Sequence, residues 1–139
     1  MATNIRAEVS VKNKYHINKH RHYELKHYCL QYPTWKKAYL DCLDYDIPMS
    51  MVDGVQDPGG RYDPSLVRSA TRTYYSKKMA TIEQAAKDAD TYLWKYILKA
   101  VTEGLSYTYL KTKLDIPCGK DLYYDRYRRF FWLLSELRD

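Results

Sequence analysis

The stretch Asp115-Ile116-Pro117-Cys118-Gly119-Lys120-Asp121-Leu122-Tyr123-Tyr124-Asp125-Arg126-Tyr127-Arg128-Arg129-Phe130-Phe131-Trp132 decides the fold. Ile116-Pro117 ends one helical pattern, because the residue before a proline is pushed out of the helical region. A second pattern runs from about Gly119 to Leu137. At about 100 degrees per residue, Tyr123, Tyr127, Phe130, Phe131, Leu134 and Leu137 share one broad face, which is predicted to be buried. Asp121, Tyr124, Asp125, Arg128 and Arg129 fall on the opposite side, which is predicted to be exposed. Upstream, Ser106 restarts a helix that carries Tyr109, Leu110 and Leu114 inward. Helix, short turn and basic aromatic helix thus follow one another within about residues 91–139, the layout of a helix-turn-helix. The second helix of such a motif presents base-reading side chains from its N-terminal half. A structural helix that closes a bundle fits the same pattern.

Working outward, Asp88 and Asp90 are candidate caps for a helix whose apolar face is Leu93, Ile97, Leu98, Ala100 and Val101, with Gly104 as its C-terminal stop. Asp63-Pro64 reads as an N-cap followed by proline in the first turn. The helix it opens runs through Ala70, Tyr74, Met79, Ile82, Ala85 and Ala86 without a breaker. Before it, residues 44–62 contain Pro48, Gly54, Pro58, Gly59 and Gly60, a density of breakers that predicts one long loop. Tyr23, Leu25, Tyr28, Cys29 and Leu30 recur at helical spacing from near Lys19 and stop before Pro33. Pro33 opens a further helix with Trp35, Ala38, Tyr39, Cys42 and Leu43 as its stripe. Residues 1–18 read as a basic arm. The expected architecture is all-α: a single-domain helical bundle of about six helices over residues 19–139, with a C-terminal helix-turn-helix.

The chain has 139 residues, the size of one domain, and carries a formal charge of +6. That excess is uneven: residues 1–37 hold 8 Lys and Arg against 2 Glu, residues 38–104 hold 8 against 10 acids, and residues 105–139 hold 7 against 5. A basic surface of this kind suits a polyanion such as double-stranded DNA, and equally suits a solvated face that aids solubility. Tyrosine is the compositional oddity, with 16 against 2 Phe. Such rings serve either amphipathic packing or an interface.

Three cysteines, Cys29, Cys42 and Cys118, are odd in number and lack CxxC spacing, which argues against a disulfide framework or a zinc site and for a reducing cytoplasm. No apolar run approaches the ~18 residues of a membrane span. His16 and His20 have the i, i+4 spacing of a zinc pair, but no carboxylate or cysteine completes a site. Asp41, Asp44 and Asp46 read as a solvated helix end rather than a cation site. No GxSxG motif or Gly-rich phosphate loop is present. The expectation is therefore a non-enzyme with neither cofactor nor metal.

Tyr23-Glu24-Leu25-Lys26-His27-Tyr28-Cys29-Leu30-Gln31-Tyr32-Pro33-Thr34-Trp35-Lys36, Ile116-Pro117-Cys118-Gly119 and Tyr124-Asp125-Arg126-Tyr127-Arg128-Arg129-Phe130-Phe131 together resemble small proteins from phages and prophages of gut Firmicutes. These are similar to the RinA and ArpU type of phage transcriptional regulators, and the likeness extends over most of the chain from Lys14 onward. The resemblance implies a helical DNA-binding regulator of late phage genes, whose C-terminal half is like the promoter-reading region of sigma factors. The chain departs from that pattern at Gly119, which stands where a serine is expected. On this reading Lys120, Tyr124 and Arg128 reach base edges. Lys12, Lys14, Lys19, Arg21, Lys111 and Lys113 contact phosphates. Phosphate contacts position such a protein and base contacts specify its site. The competing reading is a protein-binding module of a mobile element, for example an inhibitor of a host defence nuclease or a partner of RNA polymerase.

Overall fold

The computed structural model describes residues 14–44 and 64–138. Among them lie six helices and no strand: α1 Lys19–Leu30, α2 Tyr32–Asp44, α3 Pro64–Ala89, α4 Trp94–Glu103, α5 Tyr107–Lys113 and α6 Lys120–Arg138. Residues 1–13 of the expected arm and 45–62 of the expected loop lie outside the described residues, as does the Asp63 cap.

Local chemistry accounts for most of the boundaries. The Asn18 side chain accepts from the His20 N–H at 2.8 Å and starts α1. Gln31 closes α1, and its carbonyl accepts from the Trp35 N–H at 3.1 Å within the first turn of α2. Pro33 is tolerated there because the first-turn amides of a helix have no internal partner. Asp90 accepts from the Tyr92 and Leu93 amides, both at 2.8 Å, in the tight turn that leads from α3 into α4.

The core centres on the second half of α3, where Met79, Ile82, Ala85, Ala86 and Ala89 are buried. α6 lies against that half through Tyr123, Tyr127, Phe130, Phe131 and Leu134, and α1 contributes Leu25 and Cys29. The first half of α3 holds no fully buried residue among those described, and α2 is the helix with which α3 as a whole makes its most extensive contact. Small side chains at 85, 86 and 89 let neighbouring helices approach α3 closely, while the aromatic residues of α6 fill the space beside them.

Several side chains depart from the periodic expectation. Leu30, Tyr109 and Leu137 were expected inward but are 40%, 42% and 50% exposed. Leu30 and Leu137 lie in the last turns of their helices, and seven-residue α5 presents only Leu110 fully to the core. His22 does the opposite. It is a polar side chain only 1% exposed, and it packs edge-on to Phe131 with ring centroids 4.8 Å apart.

Long-range polar contacts tie the layers together. Arg21 on α1 donates to the Ser135 hydroxyl and to its carbonyl on α6, each at 3.0 Å. Tyr32 at the start of α2 donates to the Glu83 carboxylate on α3. Lys78 on α3 sits 5.2 Å from the Trp35 ring and 4.9 Å from the Tyr74 ring, while the Arg138 guanidinium stacks 4.0 Å from Tyr28. Aromatic rings thus bind cations internally, a use of tyrosine that composition alone does not reveal.

Candidate nucleic-acid interface

The C-terminal helices are joined by two well-defined turns. Gly104 ends α4 with φ 70, in the left-handed region, and Leu105 N–H bonds back to Ala100 O at 3.0 Å. That pattern satisfies carbonyls the helix end would otherwise orphan. Ser106 then caps α5, its hydroxyl accepting from Tyr109 N–H at 3.1 Å. Both features follow the expectation for a glycine stop and a serine start.

The second turn joins α5 to α6. Asp115 adopts φ 52, a conformation that aspartate tolerates better than most residues, and Ile116 N–H donates to Leu110 O at 3.1 Å. The Ile116 side chain is fully buried and anchors the turn on the core. Tyr107 adds a second anchor. Its hydroxyl donates to Cys118 O at 2.8 Å, and its ring lies 5.4 Å from Tyr123 and 6.5 Å from Tyr124. The start of α5 therefore packs over the first turns of α6 while the end of α5 stays in solvent.

Lys111, Lys113 and Lys120 are exposed around this turn, and no carboxylate pairs with them among the described residues. Lys111 also donates to Ile116 O at 3.4 Å. Asp115 and Asp121 are exposed on the same segment, so three lysines minus two aspartates leave a local excess of one positive charge. The larger excess belongs to the N-terminal residues, where Lys14 and Lys19 are exposed and their ammonium groups lie 5.0 and 6.0 Å from the rings of Tyr15 and Tyr23. Lys12 lies outside the described residues.

Two of the expected contact residues are placed differently. Tyr124 is not on an exposed groove face: it is 9% exposed, enclosed by the rings of Tyr107, Tyr123 and Tyr127. Arg21 is not a solvent-facing phosphate ligand, because its guanidinium is taken up by Ser135 and by the Glu24 carboxylate. Arg128 is half-buried at the border of the packed face. Of the expected base-contacting set, Lys120 alone stands fully at the surface.

The outward side of α6 also carries Arg126 and Arg129, which are not in the expected contact set. Arg126 donates to Asp90 at 3.0 Å and pairs with neighbouring Asp125, so it fastens α6 to the α3–α4 turn. The bond to Asp90 raises the Arg126 pKa. Burial works against ionisation of Asp90, but the Leu93 and Tyr92 amides and the Arg126 guanidinium outweigh it and hold the carboxyl below its usual range. Arg129 donates to the Tyr15 hydroxyl at 3.4 Å and lowers its pKa, and the Tyr15 ring lies 5.8 Å from Trp132. Tyr15, just before α1, is thereby attached to the outer face of α6. Partners 36 and 114 residues apart in sequence leave no local signal of these bonds.

Among the described residues, no group of three or more His, Cys, Asp or Glu side chains is placed to hold a metal ion, and no helix is long and apolar enough to cross a membrane. All three cysteines are free, and burial pushes the Cys29 thiol pKa up, which leaves it a poor nucleophile. Comparison with protein-family models, with curated proteins and with solved structures finds no match.

Proposed function

We propose that this chain is a sequence-specific DNA-binding transcriptional regulator of phage or prophage type, with α5, the 114–119 turn and α6 as its helix-turn-helix. The observation that carries the reading is the exposed trio Lys111, Lys113 and Lys120, with no carboxylate partner among the described residues, around a turn fixed by Tyr107 and Ile116. A fixed turn holds the first turn of α6 in one orientation, and cations beside it can anchor that orientation on phosphates.

The reading surface is then narrower than the helical wheel implies. Lys120, Asp121 and Leu122 are exposed in the first turn of α6. Lysine can donate to guanine, aspartate can accept from a cytosine amino group, and an apolar side chain can meet a thymine methyl. Arg128 lies eight residues beyond Lys120, about 12 Å along the axis, where a half-buried guanidinium suits a phosphate oxygen. The cationic N-terminal residues supply most of the non-specific attraction.

Simultaneous replacement of Lys111, Lys113 and Lys120 by alanine tests the assignment. Each lost phosphate contact reduces the slope of log affinity against log salt by about 0.9. The triple variant is expected to show a slope shallower by about two to three, with unchanged helicity. A Lys36→Ala, Lys37→Ala variant on α2 is the control and is expected to keep the parent slope. Equal slopes for the triple variant and the parent would remove this surface from the DNA interface.

A further inference from the structure

Between α1, the α4–α5 turn and α6 lies a cavity of about 190 Å³, lined by the phenol rings of Tyr107, Tyr123, Tyr124 and Tyr127 together with Lys26 and Leu30. The four phenols form a continuous group, with neighbouring centroids 5.4 Å apart for Tyr107 and Tyr123, 5.2 Å for Tyr123 and Tyr124, and 6.0 Å for Tyr124 and Tyr127. Among the described lining residues Lys26 is the only lysine, arginine or acid. It is half-buried, and among the described residues no hydrogen bond or ion pair engages its ammonium group.

We propose that this cavity is a binding site for a small aromatic carboxylate of about the size of benzoate. Three features set the ligand class. An apolar cavity of ~150 Å³ is known to accept benzene, so the volume here suits one ring with one small substituent. Tyrosine faces and edges accept a further ring in tilted geometry at the separations they already use among themselves. A half-buried lysine with no counter-ion among the described residues favours an anion over a neutral or cationic substituent. The site is independent of the DNA reading, since none of its chemistry requires a nucleic acid.

The wall formed by Gly104, Leu105 and Ser106 provides the readout, because ring currents of a bound aromatic group shift nearby amide resonances. Two-dimensional NMR titrations with benzoate, benzyl alcohol and benzylamine form the experiment, with the full chain as the sample. Benzoate is expected to shift the Gly104 and Ser106 amides saturably and to bind more tightly than benzyl alcohol, with benzylamine weakest. Lys26→Gln is expected to weaken benzoate about fivefold, the worth of a well-placed, partly exposed ion pair, and to leave benzyl alcohol unchanged. Leu30→Trp, made from the exposed side of the cavity, is expected to abolish binding of both while the spectrum remains that of a folded protein. Absence of saturable benzoate shifts up to its solubility limit overturns the proposal. So does benzoate binding that neither Lys26→Gln nor Leu30→Trp alters.

Discussion

Arg126 on α6 and Asp90 in the turn between α3 and α4 are joined by a hydrogen-bonded ion pair at 3.0 Å, 36 residues apart in the chain. Asp90 serves three partners at once: one oxygen accepts from the Tyr92 and Leu93 amides, and the other meets the guanidinium. The carboxylate therefore shapes the entry to α4 and at the same time fixes where α6 lies. Its loss is expected to act on both. Asp90→Ala should destabilise the protein by about 1–2 kcal/mol, combining a lost cap with a lost partly buried ion pair. Asp90→Asn, which can still accept from the amides, should cost less. Urea unfolding of the two variants checks the order, and equal losses would show that the bonds to the two amides add nothing beyond the charge.

The same carboxylate has a pH signature. Because its folded pKa is lowered from the ordinary aspartate value of about 3.9, Asp90 contributes stability that is fully present above that value and is lost as pH falls through the folded one. Thermal unfolding of the parent and of Asp90→Asn between about pH 6 and about pH 2 should show a stability difference that shrinks in acid. A difference constant over that window would contradict the assignment.

Gly104 is required for its backbone conformation rather than for space. A Cβ built there meets Leu30 Cδ2 at 3.7 Å, an ordinary contact, but φ 70 is unfavourable for any side chain. Gly104→Ala is expected to cost about 1–2 kcal/mol and Gly104→Asn less, since asparagine visits the left-handed region more readily. Denaturant midpoints distinguish this from a steric origin, in which the larger asparagine would cost more.

Tyr107→Phe removes one hydroxyl and keeps the ring on Tyr123. The Cys118 carbonyl then loses its donor at 2.8 Å, and the turn before α6 loses one of its two anchors. The expected loss is about 1 kcal/mol, with faster amide exchange confined to residues around 114–119. Protection unchanged in that turn would show that Ile116 alone holds it.

Much of this architecture is legible from local pattern. The helical segments follow apolar spacing, and the ends at Gly104 and Ser106 follow capping chemistry that acts within five residues. What escaped local reading depends on distant neighbours. Tyr124 lies about 100 degrees from Tyr123 on the helix, at the border of the buried arc, and the packing of Tyr107 from α5 decides that it is covered. His22 could occupy either core or surface by type, and Phe131 on α6 supplies the packing that draws it inward. Arg21 looks like a free cation until Ser135 is placed beside it. The tyrosine cavity has a partial signal in the spacing of Tyr123, Tyr124 and Tyr127, but Lys26 joins it only through the packing of α1.

The most direct test of the DNA-binding account is retention of fragments of the chain's own genome by the full-length protein at low and at near-physiological salt. The account predicts that most fragments are released as salt rises, because their binding is electrostatic, while one or a few discrete fragments remain bound. Weak binding that is equal on all fragments and vanishes uniformly with salt would contradict it.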